Sequence, residues 1–455
     1  MTALESAWSA VGGDAALLGQ VSPVVREGAL VARLPVREAA RACVGACALA
    51  AAEAGARRAR RAEVPRVRLD DGAVATAFVS ERHLLVDGRA PVWFAPLSRF
   101  WQAADGWVRT HANYPHHRAA LLAALGVPGE DPDAVAAAVA ERPAREVEDA
   151  VYAAGGLAVA LRTPEEWAAH EQAAQVARRP LIVRERTAPA RARALPSLDG
   201  TPLLPAAGVR VLDLTRVIAG PVATRTLALL GADVLRLDPP RLPELTEQHT
   251  DTGFGKRSAL LDAAVDRRAF EELLSAADVV VTGYRPGALD RLGLSARALA
   301  ERRPGLVVAE LSAWGAYGPW GGRRGFDSLV QVATGIAVTE GSAERPGALP
   351  AQALDHGTGY LLAAAVLRAL TERSEDGHGS RVEVSLARTA HWLTQEVAPG
   401  PAADAVYDAP DAWLAERDSA RGRLRYALPP VAFEGGPHDW ARPPGVWGAD
   451  PAAWR

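Results

Sequence analysis

Residues 209–238 read VRVLDLTRVIAGPVATRTLALLGADVLRLD, and this stretch decides the fold. It predicts a β-strand, a tight Ala-Gly-Pro turn, a helix that ends at Gly231 and a second strand. The alternation continues with RSALLD, a predicted helix at 266–276, DVVVTG, a predicted helix near 295–302, and LVVAELS. Strands that alternate with helices predict an α/β fold with a parallel, doubly wound sheet. The continuous apolar runs are typical of strands buried on both faces.

The sequence upstream predicts a second, smaller unit. Residues 1–90 are rich in alanine, with a helix predicted at about 35–56 and β-type runs at 66–71, 73–80 and 83–88. Residues 91–183 predict a small α+β domain, with a hairpin turn at Asp105-Gly106 and a helix that stops at Gly126. Residues 184–207 predict a Pro-, Ala- and Arg-rich linker. The domain with the parallel sheet then covers 208–392, and a Pro-, Gly- and Trp-rich C-terminal segment covers 393–455.

Composition excludes several classes of protein. The 455 residues carry a net charge of −3 and are 49% hydrophobic, which argues against a disordered chain and against a nucleic-acid binder. No stretch of ~18 uncharged apolar residues predicts a membrane span, and the N-terminus lacks a signal-peptide pattern. Two cysteines, Cys43 and Cys47, give no disulfide framework and no zinc-ligand spacing. We therefore expect a cytoplasmic protein without a membrane or nucleic-acid partner.

The usual nucleotide and hydrolase motifs are missing. The turn at 215–221 lacks G-x-G-x-x-G, GFGKRS at 253–258 lacks the spacing of a phosphate loop, and no G-x-S-x-G occurs. Adjacent His116 and His117 have no third ligand at a suitable spacing. We expect them to bind no metal and to lie at a surface or an interface.

Asp355 is the strongest candidate for chemistry. It belongs to ALDHGTGY at 353–360, immediately before a strongly apolar helical run. A position near a helix N-terminus would favour an ionised carboxylate, and free backbone N–H groups there could hold an oxyanion. The same position also suits a plain N-cap, so the residues alone leave both roles open.

Seven blocks, taken together, resemble the class III CoA-transferases, the CaiB/BaiF family. The blocks are 209–240, GKRSALLD at 255–262, 277–294, 303–320, RRGFDSLVQVATG at 323–335, ALDHGTGYLLAAAVLRAL at 353–370, and GSRVEVSLA at 379–387. The resemblance implies a Rossmann-like sheet domain, coenzyme A as part of an acyl-CoA substrate, and no metal or redox cofactor. It also implies that Asp355 is the nucleophile.

The resemblance further implies a set of residues that contact CoA. These are Arg216, Val217, Ala219, Gly283, Tyr284, Arg291 and Arg324. For Lys256 and Arg257, a role in shaping the strand edge near CoA is favoured over direct contact. The family's G-D-x-x-R after the second strand is missing here, and Phe326 stands where the racemases of the family carry histidine.

The order of the parts also departs from the family. The small domain precedes the sheet domain, so residues 1–90 are interpreted as the remnant of a first large domain. The family forms interlocked dimers, and we therefore expect a homodimer, with Trp413, Trp440, Trp447 and Trp454 as anchors at its interface.

The predicted function is transfer of CoA from an acyl-CoA donor to a carboxylic acid acceptor through an aspartyl-CoA intermediate. Two alternatives stay open: a degenerate CoA-binding protein without turnover, and a 2-methylacyl-CoA racemase or isomerase. Phe326 disfavours the racemase, because phenylalanine cannot exchange a proton.

Overall fold

The computed structural model describes residues 1–190, 193, 195–401 and 406–455. The predicted linker at 184–207 and the C-terminal segment at 393–455 therefore lie partly outside the described residues. The N-terminal region contains α1 (Ala3–Ala10), β1 (Val21–Val24), α2 (Val36–Arg58), β2 (Val67–Asp70), α3 (Asp71–Phe78), α4 (Ser80–His83) and β3 (Leu85–Val86).

Helix α2 confirms the helix predicted at 35–56, whereas the β-type run predicted at 73–80 is wrong. Residues 71–78 form α3 instead, which begins where the Asp70 side chain accepts a hydrogen bond from the backbone N–H of Gly72. Every residue of α3 is buried, so its sequence has no helical periodicity that could have revealed it.

The small α+β unit follows, and most of its elements pack around a core of their own, whereas Trp167, Ala173 and Val176 of its last two helices belong to the main core. The elements of the unit are β4 (Phe100–Ala103), β5 (Gly106–Thr110), α5 (Pro115–Leu125), α6 (Pro132–Ala140), α7 (Ala144–Ala153), β6 (Ala158–Ala160), α8 (Pro164–Ala168) and α9 (Glu171–Ala177). Strands β4, β5 and β6 form an antiparallel sheet. The hairpin turn at Asp105-Gly106 is confirmed, and α5 ends at Gly126 in the left-handed conformation.

A seven-stranded sheet forms the centre of the molecule. Its strands are β7 (Val183–Pro189), β8 (Arg210–Leu214), β9 (Asp233–Asp238), β10 (Arg257–Leu260), β11 (Val279–Thr282), β12 (Val307–Ser312) and β13 (His378–Ser385). Their order is β10-β9-β8-β11-β12-β13-β7, and all neighbours are parallel except β7 with β13. The structure is therefore α/β, with a doubly wound, mostly parallel sheet whose order reverses between β8 and β11.

Strand β7 corrects the linker predicted at 184–207. Residues 183–189 pair with β13 at the sheet edge, and Arg381 of β13 bonds Glu185 across the pair at 3.2 Å. The consecutive charges of Arg184, Glu185 and Arg186 hid this strand, in which every side chain is at least partly exposed.

Helices cover both faces of the sheet. They are α10 (Ala219–Leu229), α11 (Thr246–Thr252), α12 (Arg267–Ala276), α13 (Ala296–Arg302), α14 (Asp327–Ala333), α15 (Ile336–Glu340), α16 (Ala353–Asp376) and α17 (Leu386–Gln395). The chain ends with the hairpin β14 (Leu414–Ser419) and β15 (Gly422–Ala427), and β15 pairs with β3. The N-terminal region and the C-terminal segment thus meet in one small sheet.

Helix α2 packs along α16, where Glu53 pairs with Arg368 in the interior. By length and composition α2 could cross a membrane, but 94% of its apolar window is buried in the protein. Its contacts with α16 identify it as a helix of the core.

The C-terminal tryptophans anchor this chain to itself. The indole N–H of Trp440 donates to the Arg225 carbonyl, that of Trp447 to Asp238, and that of Trp454 to the Leu273 carbonyl. The indole N–H of Trp413 donates to the Tyr407 hydroxyl. Each indole N–H thus bonds a neighbour in its own chain, and an anchoring role of these side chains at a dimer interface stays a prediction.

Candidate active site

Asp355 is the third residue of α16, and it is not an N-cap. Gln352 occupies the cap position without a side-chain cap bond, while Asp327 at the start of α14 accepts the backbone N–H of Asp355 at 2.8 Å. The Asp327 carboxyl therefore takes over the capping role from across the helix pair. It also occupies the Asp355 N–H, so this group is not free to hold an oxyanion as the sequence suggested.

The Asp355 carboxyl is held in an unusual electrostatic setting. Among the described residues, nothing donates a hydrogen bond to its oxygens. Burial first, and then the neighbouring carboxyls of Asp327 and Glu81, raise the pKa of Asp355 well above its usual range. The expectation that the helix dipole would keep this carboxylate ionised is wrong in direction, because burial and like charges outweigh the dipole. Burial likewise raises the pKa of Asp327 to about 7.

One cavity of about 380 Å³ brings together every site residue that the sequence predicted. The lining includes Asp355, Arg216, Val217, Ala219, Gly283, Tyr284, Arg291 and Arg324. The loops that follow β8 and β11 form part of its wall. Because the strand order reverses between these two strands, the cavity lies at the position where doubly wound sheets bind ligands.

The loop after β8 is strained at the cavity wall. Val217 has a φ of +70°, in a region that a β-branched residue rarely adopts. Arg216 holds this loop in place, since its guanidinium donates to the carbonyls of Leu242 and Pro243 and lies 3.4 Å from Glu244. Arg216 therefore faces the cavity with much of its donor capacity already used.

Arginines make the cavity strongly cationic. Six of its lining residues are arginines, namely Arg216, Arg241, Arg285, Arg291, Arg323 and Arg324. Burial and the like charge of Arg285 both lower the pKa of Arg324. Within the part of the chain that the structure describes, Arg285 and Arg291 form no ion pair. The cavity is therefore suited to a polyanion.

Three of these arginines were missed in the sequence. Arg285 directly follows Tyr284, and Arg323 directly precedes Arg324, so both signals lay beside predicted contacts. Arg241 comes from 239–252, the segment that replaces the missing G-D-x-x-R, and it pairs with Asp262 beside the cavity.

The small unit supplies a wall of the same cavity. Tyr114, His116 and His117 line it, and the Tyr114 hydroxyl bonds Glu244 of the sheet domain. The pair is predicted to lie at a surface or an interface, and His117, which is 5% exposed, lies where the small unit meets the sheet domain and not at the outer surface. Burial, together with His116 and other nearby cations, lowers the pKa of His117 to about 2, so its ring is neutral at neutral pH. That the pair binds no metal stays a prediction.

Lys256 lies inside the protein, away from the cavity. Its Nζ donates to Asp213 at 3.0 Å and to the Pro221 carbonyl at 2.9 Å, and the residue is 3% exposed. Arg257 pairs with Asp233. Lys256 thus joins the end of β8 to the first turn of α10. Neither Lys256 nor Arg257 is among the residues that line the cavity.

Comparison with known proteins shows what the C-terminal half of the chain is similar to. Residues 206–410 match the sequence model of CoA-transferase family III, which confirms over this segment the resemblance indicated by the seven blocks. An acetyl-coenzyme A transferase of Hypoxylon pulicicidum is 36% identical over 211 residues, or 44% of this chain and 36% of that protein. A probable fatty acyl-CoA transferase of Mycobacterium tuberculosis is 34% identical over 42% of this chain and 53% of that protein.

A formyl-CoA:oxalate CoA-transferase of Streptomyces avermitilis is 32% identical over 51% of this chain and 62% of that protein. The matched region thus spans less than two thirds of each of these relatives. Among solved structures, a hypothetical protein from Mycobacterium tuberculosis is 34% identical, with a TM-score of 0.39 over 41% of this chain and 56% of that one. A CaiB/BaiF family protein from Brucella suis is 24% identical, with a TM-score of 0.38 over 48% of this chain and 65% of that one.

Proposed function

We propose that this protein transfers CoA from an acyl-CoA donor to a carboxylic acid acceptor, with Asp355 as the nucleophile. One observation carries the proposal: among the described residues nothing donates a hydrogen bond to the Asp355 carboxyl or forms an ion pair with Arg285, Arg291 and Arg324, and all four residues line the same cavity. The family match over residues 206–410 supports the assignment of coenzyme A to that cavity.

The cavity suits the parts of CoA. Arg285, Arg291 and Arg324 offer planar donor groups for its phosphates. An apolar end formed by Leu237, Leu261, Phe270, Leu289, Leu292 and Leu294 would cover the adenine ring. The thioester would then lie towards Asp355.

The chemistry proceeds in balanced covalent steps. An oxygen of the Asp355 carboxylate attacks the thioester carbonyl carbon, and the carbon–sulfur bond breaks to give a mixed anhydride and CoA thiolate. The thiolate attacks Cγ of Asp355, and the donor acid leaves as its carboxylate. The aspartyl-CoA thioester that results is attacked by the acceptor carboxylate, and thiolate attack on the second anhydride releases the new acyl-CoA. No metal and no redox partner enters this sequence.

Burial of Asp355 suits this role. A carboxylate whose pKa is raised is a stronger nucleophile when ionised, and a cavity without water protects an anhydride from hydrolysis. Glu81, Asp327 and Asp355 form a carboxyl cluster. Because of this cluster, attack would need a cationic or neutral environment at the thioester. The arginine-rich wall of the first cavity supplies positive charge.

Isotope exchange tests the proposal. Incubation with an acyl-CoA and labelled free CoA should move label into the thioester, because the enzyme forms free thiolate at each turnover. Uptake of deuterium at the α-carbon without exchange would indicate the racemase or isomerase instead. Tight CoA binding with neither signal, across a panel of thioesters and acids, would indicate a binding protein and overturn the proposal.

We also propose a cytoplasmic homodimer that acts on small molecules alone. Buried, unpaired thiols at Cys43 and Cys47 support a reducing compartment. The small unit docks on the sheet domain of its own chain, through Tyr114 with Glu244 and Arg323 with Glu148. A dimer would therefore associate two complete sites, and the molar mass in solution at micromolar concentration tests it.

A further inference from the structure

A second cavity, of about 320 Å³, adjoins the first at Asp355. Both cavities are lined by Asp355, Phe326, Tyr114, Val217 and Ile218. The remaining wall of the second cavity comes mainly from residues before 114, outside the segment that matches the family. This cavity is therefore specific to the way this chain folds its N-terminal region over the sheet domain.

Aromatic rings make much of this second cavity flat and apolar. Trp93 and Phe94 line it together with Phe326 of the sheet domain. The His111 ring lies parallel to Phe326 with 3.8 Å between ring centroids. Flat walls of this kind favour a planar apolar group, which gains from stacking as well as from removal of water.

Three buried polar atoms in the wall lack a hydrogen-bond partner among the described residues. They are Oε1 of Gln248, Nδ1 of His111 and Oε2 of Glu81, on side chains that are 7%, 6% and 8% exposed. Leaving such a group unpaired costs roughly 1–3 kcal/mol. Amide and carboxylate oxygens are acceptors, so a ligand that donates a hydrogen bond would satisfy them.

The charges of the wall oppose a second carboxylate on the ligand. Asp355 and Glu81 are both carboxyl groups, and burial with nearby Arg109 keeps His111 neutral by lowering its pKa to about 3. Arg82 is the one arginine among the described lining residues; its side chain is 56% exposed and lies 3.7 Å from Glu81. Its charge is therefore directed to Glu81 and to solvent.

We propose that the second cavity seats the acyl part of a monocarboxylic acid that has a flat, aromatic body and a hydroxyl group. The carboxyl carbon lies at Asp355, the ring lies between the aromatic walls, and the hydroxyl donates to Gln248. Dicarboxylates are disfavoured. This inference rests on the proposed function, because it names the acid that exchanges CoA.

Calorimetric titration of the CoA-saturated protein tests the inference with three probes: 4-hydroxybenzoate, benzoate and oxalate. We expect 4-hydroxybenzoate to bind about tenfold more tightly than benzoate, since one satisfied buried hydrogen bond is worth roughly a factor of ten, and oxalate to bind more weakly than either. The Q248L variant should lose that factor for 4-hydroxybenzoate and leave benzoate unchanged. Phe94→Ala should weaken both aromatic acids, and Val92→Ala, at an exposed neighbouring position, is the matched control.

Oxalate binding as tight as that of 4-hydroxybenzoate, or unchanged aromatic affinity in both variants, overturns the inference. Labelled-CoA exchange on the same samples separates it from the proposed function. Variant-sensitive aromatic binding without exchange contradicts the transferase alone. Exchange that prefers oxalate contradicts the cavity assignment alone.

Discussion

The two cavities that meet at Asp355 differ in origin and in chemistry. The first is cationic and is built largely by loops at the ends of parallel strands, within the segment that matches CoA-transferase family III. The second is aromatic and is closed by residues from 81 to 114, which the family match does not reach. On the proposed function, the first cavity would bind CoA and the second would select the acid.

Asp355 is the proposed nucleophile and lines both cavities, and its replacement has the largest expected effect. Asp355→Asn should reduce CoA exchange by ~10⁴-fold or more, as loss of an essential nucleophile does in other enzymes. CoA should still bind, because the arginines remain. Asn cannot ionise, so thermal unfolding at neutral pH should show a variant at least as stable as the parent. Substantial exchange by the folded variant would remove Asp355 from the mechanism.

Gly359 tests the packing that holds the two cavities together. A Cβ at this position would lie 2.5 Å from the Ala219 carbonyl oxygen, where α16 crosses α10. Gly359→Ala should therefore destabilise the protein by about 1–3 kcal/mol, measured by denaturant unfolding, since overpacking displaces backbone. Gly106→Ala is the control, because no atom lies within 4 Å of a Cβ there. Equal stability of the two variants would show that the contact is not tight.

Arginines of the first cavity should affect CoA and not the acid. Arg285→Ala and Arg324→Ala should each weaken CoA binding by about tenfold, the lower range for a hydrogen bond to a charged group. Titration of CoA measures this, and Arg297→Ala, an exposed residue paired with Glu301, is the control. Unchanged CoA affinity in both cavity variants would place the phosphates elsewhere.

The pH dependence of kcat/KM is expected to show the smallest of these effects. The nucleophile must be ionised and its pKa is raised, so kcat/KM should increase with pH at values well above the usual carboxyl range. Burial alone would raise the pKa of Glu81, but His356, whose Nε2 lies 3.8 Å from Glu81 Oε2, outweighs burial and lowers that pKa. Glu81→Gln removes that negative charge and should shift the kcat/KM midpoint to lower pH. An unchanged midpoint would separate Glu81 from the titration.

The sign for stability is the opposite of that for activity. The folded-state pKa of Asp355 is raised, so the protonated form favours the folded protein, and this contribution is lost as pH rises through the raised value. The parent should therefore lose stability relative to Asp355→Asn as pH increases. Unfolding curves of the two proteins at several pH values measure the difference.

The sequence predicted the sheet domain and the first cavity well, because local patterns carry both. Strand–helix alternation placed β8 to β12, and the family blocks placed eight residues that the structure brings into one cavity. The capping role of Asp327 could not be foreseen, since it depends on α14 meeting the start of α16. The arginine pair at 285 and 324 is likewise formed by two separate loops.

The second cavity left no pattern in the sequence. Glu81 lies on a four-residue helix, and Trp93 and Phe94 lie outside regular structure, so neither periodicity nor a motif marks them. The strand misplaced at 73–80 lies next to this region. Long-range packing of the N-terminal residues on α16 brings these groups to Asp355, and only the folded chain shows it.

Chemical trapping of the acyl-enzyme tests the central claim most directly. The protein is incubated with an acyl-CoA donor and hydroxylamine, digested, and analysed by mass spectrometry. Attack on an activated aspartyl group converts the carboxyl to a hydroxamate, so the account predicts modification at Asp355, dependent on the donor thioester. An unmodified Asp355, under conditions in which labelled CoA exchanges into the thioester, would contradict it.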